Sequence, residues 1–288
     1  MNLPSQLVVN CKKAPERKIW LETLPQLIDK LVALWFLRLE TPFDHGGTCS
    51  WVCPVARFDG TQAVLKLAMP HMEGKHEIQG LRHWSGRSMV KLLEADDDSG
   101  AMLLERCLPG TTLHSELEPA QDVIIAGVLR RVWESTTETD GLEDIRPLSQ
   151  MINFWREETI AQKHLWPDAG LVNEGLRVMT ELARPAPADL LLATDLHAGN
   201  VLRAQREPWL AIDPKPFVGD RSYDPVQHLI NCETRLHENP ACLVERIASL
   251  TEVDPERLRL WTFARAAADP RDDWTNTRWI DIAKALSP

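Results

Sequence analysis

The stretch "LLATDLHAGNVLRAQREPWLAIDP", residues 191–214, decides how this chain is read. Two apolar runs, 191–193 and 209–212, each lead into an acidic group. Asp195, Asn200 and Asp213 stand at intervals of five and thirteen residues. A carboxylate that accepts a hydroxyl proton needs a loop open to substrate. An asparagine five residues on can return to the same place and offer its amide oxygen to a cation. A second aspartate, after a further pair of strands, supplies a charged ligand. The trio therefore fits the base and the two Mg2+ ligands of a phosphoryl transfer. An Asp-x-x-x-x-Asn pair alone is common in plain turns. The apolar strand before each acidic group lifts this one above that background.

Downstream and upstream of this stretch the chain has different characters. Residues 119–136, 149–164 and 170–184 repeat apolar positions at helical spacing, and helices resume from Pro225 to the C-terminus. Upstream, residues 48–58 and 61–69 are rich in strand formers around Asp59-Gly60, a two-residue hairpin signal. Residues 88–95 and 101–106 form a second strand pair around 97–100, with a helical pattern at 71–84 between the pairs. Thr23-Leu24-Pro25-Gln26 carries the capping residues of a helix start. The expected architecture is α+β and two-lobed. A small antiparallel-sheet N-lobe spans residues 1–106 and a larger, mainly helical C-lobe spans 107–288, with a ligand cleft where they meet.

The 288 residues, 44% hydrophobic and 26% charged, suffice for a sizeable core and argue against disorder. A net charge of −10 repels a duplex nucleic acid and attracts a small cationic molecule. None of the six cysteines forms a C-x-x-C pair, so no zinc site is expected. The first residues lack the basic start and apolar core of a secretory leader, and the longest apolar run, 31–37, falls short of a membrane span. The expectation is a cytoplasmic protein with a small-molecule acceptor, no nucleic-acid or membrane partner, and an oligomeric state that the sequence leaves open.

Six blocks in one order, "GGTCSWV", "AVLKLAMPH", "HEIQGLRHWSG", "LLERCLPGT", "ATDLHAGNVL" and "IDPKPFVGDRSYDP", resemble the protein-kinase-like aminoglycoside phosphotransferases, in the streptomycin 6-phosphotransferase and hydroxyurea phosphotransferase branch. The resemblance runs from about residue 40 to 235. It implies ATP as phosphate donor with Mg2+, and a small-molecule hydroxyl as acceptor. It implies Asp195 as catalytic base, and Asn200 and Asp213 as metal ligands. Lys66, in an apolar strand, would grip the nucleotide phosphates and pair with Glu77, with Glu73 one turn earlier as the rival partner. Gly46, Gly47, Thr48 and Ser50 occupy the nucleotide-covering hairpin, although "HGGTCS" is not a G-x-G-x-x-G and reads equally as a plain turn. Glu105 and Cys107 fall at the hinge, where their backbone would bond adenine whatever their side chains.

The pattern also departs from the family's relatives. Ala193 stands where many kinases carry histidine, and "DPK" stands where they carry "DFG". Pro214 stiffens that loop. His197, two residues after Asp195, is an auxiliary candidate either for the transferring phosphate or for a hydrogen bond that holds the loop. Asp224 reads as a helix cap. Glu233, Asp269, Asp272 and Asp273 are candidate carboxylates for a cationic acceptor. The acceptor expectation is a streptomycin-like aminoglycoside, with hydroxyurea or another small metabolite as the alternative. A non-catalytic nucleotide-binding module and a metal-dependent hydrolase using Asp195, His197 and Asp213 are the competing classes. The former would be expected to lack one of the trio, and the latter leaves Lys66 and Glu77 without a role.

Overall fold

A computed structural model describes residues 3–43, 47–134 and 142–288. It opens with α1 (Ser5–Cys11) and α2 (Pro15–Leu34). Next come β1 (Leu37–Leu39), β2 (Ser50–Arg57) and β3 (Gln62–Ala68), then α3 (Glu77–Trp84), β4 (Leu92–Asp96) and β5 (Ala101–Glu105). The five strands form one antiparallel sheet in the order β1-β2-β3-β5-β4.

Successive strand residues face opposite sides of this sheet. Trp51, Cys53, Leu65, Leu67, Ala101 and Leu103 turn toward the helices and join Trp20, Leu24, Ile28 and Leu31 of α2 in one buried cluster. Val52, Lys66 and Met102 lie in register on the opposite face. Seating the only charged residue of that row opposite the α2 core turns Lys66 toward Glu77 and Asp213.

Two local expectations are corrected. α2 begins at Pro15, not near Thr23, and Pro25 lies inside it. The buried stripe Trp20, Leu24, Ile28 and Leu31 holds the helix together, and its packing outweighs the hydrogen bond that Pro25 cannot make. The β2–β3 hairpin has a three-residue loop rather than a two-residue one. Arg57 N–H donates to Thr61 O at 2.8 Å, and Gly60 N–H donates back to Arg57 O at 2.9 Å. Gly60 closes this turn at φ +83, which L side chains rarely adopt.

After β5 the chain becomes mainly helical: α4 (Glu118–Glu134), α5 (Leu148–Ala161) and α6 (Ala169–Leu182). Four short strands follow as two ribbons. β6 (Leu190–Leu192) pairs with β9 (Phe217–Gly219), and β7 (Val201–Arg203) pairs with β8 (Trp209–Ala211). The chain ends in α7 (Asp224–Asn231), α8 (Glu233–Glu238), α9 (Pro240–Thr251), α10 (Pro255–Ala268) and α11 (Thr277–Leu286). α10 runs through the core, with Trp261, Phe263, Ala264 and Ala266 fully buried. Among the described residues no helix is long and apolar enough to cross a membrane.

Candidate functional site

The chain leaves β6 into a loop that carries Asp195. Thr194, just before it, has φ +50, a left-handed conformation unusual for a β-branched residue. Asp224 holds the loop there. Its carboxylate accepts the N–H of Ala193 at 3.2 Å, the N–H of Thr194 at 2.7 Å and Trp133 Nε1 at 2.9 Å. Asp224 is fully buried, and that burial pushes its carboxyl up to about 6 against the pull of the three donors. The expected capping role is thereby corrected. Asp224 makes no side-chain cap on α7 and anchors the backbone of the Asp195 loop instead.

Asp195 Oδ1 accepts from Gln227 Nε2 at 2.9 Å. Asn200 Nδ2 donates to Asp195 O at 2.9 Å and lies 3.4 Å from Asp195 Oδ2. That leaves the Asn200 Oδ1 as the oxygen that could take a cation. Ile212 N–H donates to Asn200 O at 2.9 Å, which draws the neighbouring Asp213 to the same place.

Asp213 is the second site residue in the left-handed region, at φ +53. Lys66 reaches its Oδ1, and Lys215 Nζ donates to the same oxygen at 2.7 Å. Lys66 Nζ also donates to Glu77 Oε1 at 2.5 Å. Glu77, on α3, is thus the lysine's partner in this structure; the side chain of its rival, Glu73, lies outside the described set. Burial alone would raise the Asp213 carboxyl, but Lys66 and Lys215 outweigh it and hold it well below the usual carboxylate range. Burial works against the Lys215 charge, and Asp213, Glu77 and Asp195 outweigh that in turn. Lys215 was not singled out from the sequence. The only signal was a lysine in the third position of "DPK".

The Thr194 hydroxyl donates to Lys215 O at 2.5 Å, so the two loops are clasped to each other. One carboxylate and one amide oxygen are hard donors suited to Mg2+. The residues present therefore fit that ion.

His197 Nδ1 accepts the N–H of Gly199 at 3.1 Å, and its Nε2 sits 4.0 Å from Asp195 Oδ1. Burial is the main force that pulls its pKa down to about 4, so the ring is neutral at physiological pH. The geometry matches the loop-holding alternative. Asp195, His197 and Asp213 do not bring their ligand atoms within 4.8 Å of one another, so the metal-binding trio of a hydrolase is not formed among the described residues. Among the described residues one other His/Cys/carboxylate grouping exists, Asp122, His228 and Cys232. Its Asp122 already accepts from Arg235 and Arg246 at 2.7 and 2.9 Å, which disfavours a metal.

In the covering hairpin, Gly46 lies outside the described residues. A Cβ on Gly47 would fall 2.9 Å from Ser50 O. Thr48 O accepts from Asn10 Nδ2 at 3.0 Å. Ser50 is buried and sits opposite Ala68, on the same sheet face as Lys66. At the hinge, Cys107 is buried and its thiol is pushed up to about 12, chiefly by that burial. The Glu105 side chain is itself engaged. It accepts Lys91 N–H at 3.0 Å and Arg206 Nη2 at 2.8 Å, and so ties the end of the sheet to the helical part.

The four carboxylates considered for a cationic acceptor are engaged or exposed. Asp269 pairs with Arg265 at 2.8 Å. Glu233 accepts from Asn276 at 3.3 Å and faces Arg278 at 3.7 Å. Asp273 accepts Thr275 N–H at 2.8 Å, and Asp272 is exposed.

A solved choline kinase of Streptococcus pneumoniae superposes with a TM-score of 0.61 at 16% identity, over 91% of this chain and 98% of that one, which shows a shared fold. The fold is the two-lobed protein-kinase-like α+β class. The family profile described as "Aminoglycoside/hydroxyurea antibiotic resistance kinase" matches residues 39–271, and the chain belongs to that family. It is 38% identical to a streptomycin 6-kinase of Streptomyces griseus, over 94% of this chain and 87% of that protein. It is 36% identical to a hydroxyurea phosphotransferase of Kitasatospora aureofaciens, over 85% and 72%.

Proposed function

We propose that this chain transfers the γ-phosphoryl group of ATP to a hydroxyl of a small molecule, with Asp195 as the base. The observation that carries the reading is the meeting of Lys66, Glu77 and Asp213 beside the Asp195–Asn200 loop. In this reading residues 1–106 hold the nucleotide and 107–288 the acceptor. Lys66, kept in place by Glu77, grips the phosphates. Gly46, Gly47, Thr48 and Ser50 cover them, and the backbone of Glu105 and Cys107 meets the adenine. Asp195 orients the acceptor hydroxyl and takes its proton as the oxygen attacks phosphorus. Lys66 and Lys215 bring positive charge to where negative charge spreads over the transferring group. Asn200 and Asp213 would hold Mg2+, which when bound supplies further charge neutralisation at the phosphate oxygens. His197 keeps the loop in shape.

For the acceptor we favour a streptomycin-like aminoglycoside, with hydroxyurea as the alternative. The support is the match to the streptomycin 6-kinase along almost the whole chain. The overall charge of −10 favours a cation in general terms. The acceptor carboxylates named above lend no further weight, since they are engaged or exposed. Purified protein should consume MgATP with streptomycin, and Asp195→Asn should lower kcat by about 10²–10⁴ with nucleotide affinity unchanged. Near-normal turnover of that variant would remove Asp195 from its role. Turnover with hydroxyurea but not streptomycin would decide for the alternative acceptor.

A further inference from the structure

A run of side chains behind Asp195 has no part in the roles assigned so far. Gln227 lies on α7 three residues after Asp224, and so on the same helix face. Its Nε2 donates to Asp195 Oδ1 at 2.9 Å, and its Oε1 accepts from Arg265 Nη1 at 2.7 Å. Arg265 is buried on α10. Its Nε pairs with Asp269 Oδ2 at 2.8 Å, and its guanidinium lies 5.1 Å from the Trp155 ring centre and 5.5 Å from that of Tyr223.

The chemistry of this run has a direction. A guanidinium carries donors only, whereas a primary amide has one donor end and one acceptor end. Arg265 therefore dictates that Gln227 present Oε1 to it. The NH2 group must then point at Asp195. The terminal torsions of both Gln and Asp are broad and roughly two-fold, so neither end is fixed by its own rotamer preference. Arg265 is kept in place by Asp269, by two aromatic faces and by a buried site in the core helix, and it supplies the missing constraint.

We propose that Gln227, locked by Arg265, is a positioning residue for phosphoryl transfer. It clamps one oxygen of Asp195 and so sets the plane in which the carboxylate meets the acceptor hydroxyl. The proposal rests on the reading of Asp195 as the base. On this account Asp269, offered by the sequence as an acceptor carboxylate, serves the site from behind as the counterion of Arg265.

Two substitutions separate positioning from simple structural support. Gln227→Glu keeps the length and the acceptor for Arg265, but replaces the donor toward Asp195 by a like charge. Gln227→Met keeps the volume and loses both bonds. Turnover is measured with MgATP and the faster of streptomycin and hydroxyurea, alongside Asp195→Asn. We expect both variants to lose about 10–100-fold in kcat, the Glu variant at least as much as the Met variant. The KM for ATP and the unfolding midpoint of the Glu variant should stay near wild type. A Gln227→Glu protein with kcat within about twofold of wild type, while Asp195→Asn is inactive, overturns the positioning role alone. An active Asp195→Asn protein overturns the base assignment and this inference with it.

Discussion

Thr194 and Asp213 sit in the left-handed region without being glycine. Backbone of this kind costs on the order of 1–3 kcal/mol per residue and persists only where its surroundings insist on it. Here they do. The Thr194 amide is held by Asp224, its hydroxyl by the Lys215 carbonyl, and the Asp213 carboxylate by two lysines. The same arrangement ranks the two proposed metal ligands. Asp213→Ala removes a charged ligand and strands Lys66 and Lys215 beside each other. Asn200→Ala removes one neutral oxygen. In a Mg2+ titration of turnover, the Asp213 variant should lose activity by more than about 10² and the Asn200 variant by markedly less. Equal, mild losses would move the metal ligands elsewhere. At this scale Asp195, Asn200 and Asp213 were legible from their spacing, whereas the pairing of Lys66 with Glu77 was legible only through the resemblance of their blocks to the family. Lys215 and Gln227 were not. A lysine in "DPK" or a glutamine in a helix has no local signature that marks its partner.

Among the elements, α3 and α7 bear on the site most directly. α7 presents Asp224 to the loop backbone and, one turn on, Gln227 to the Asp195 carboxylate. α3 presents Glu77 to Lys66 and, one turn on, Gly80 to Pro216, three residues past Asp213. A Cβ on Gly80 would fall 2.4 Å from Pro216 Cγ and 2.9 Å from Trp84 Cζ3, so the helix reaches the Asp213 loop only because that side chain is missing. Gly80→Ala gains in helix propensity but overpacks this contact, a loss of typically about 1–3 kcal/mol. Denaturant unfolding should show net destabilisation, and kcat should fall as Glu77 and Asp213 are pushed apart. An unchanged kcat together with higher stability would mean that α3 and this loop are not mechanically coupled. The element order was readable from periodicity, but the start of α2 was not. Its stripe of buried residues outweighs a proline that, read locally, marks a beginning.

Across the whole molecule, the lobes are joined by backbone as well as side chains. Val90 N–H donates to Ala211 O at 3.0 Å, and Ala211 N–H donates to Ser88 O at 2.8 Å. Arg206 bonds Gly86 O, Met89 O and Glu105. Beneath α7 lies a buried ionic cluster in which Asp122 takes His228 at 2.9 Å as well as Arg235 and Arg246. Burial works against a charge on His228, and the bond to Asp122 outweighs it, pushing the imidazole up from 6.5 to about 9. A base whose folded pKa is raised contributes stability that is fully present below the unfolded value and lost as pH rises through the folded one. The unfolding midpoint should therefore fall between pH 6.5 and about 9, with a loss on the order of 3 kcal/mol from this group. His228→Gln should be less stable at pH 6 and show a flatter profile over that window. A parallel profile would show that His228 is not the titrating group.

The sequence by itself determined the order of the chemistry. Spacing along "TDLHAGN" and "IDP" was enough to mark Asp195, Asn200 and Asp213 as candidates for one site. A lone lysine inside the apolar run "AVLKLA" was enough to set Lys66 apart from its neighbours. Only the tertiary structure decided what orients those groups. Asp195 is held by a glutamine 32 residues away, and that glutamine by an arginine 38 residues further on. Asp224 was a cap on local evidence and is an anchor in the fold, because the packing of α7 against the loop gives its carboxylate better donors than its own helix does. A hydrogen bond is selected by which donors and acceptors are buried together, and burial is a property of the packed core rather than of any one segment.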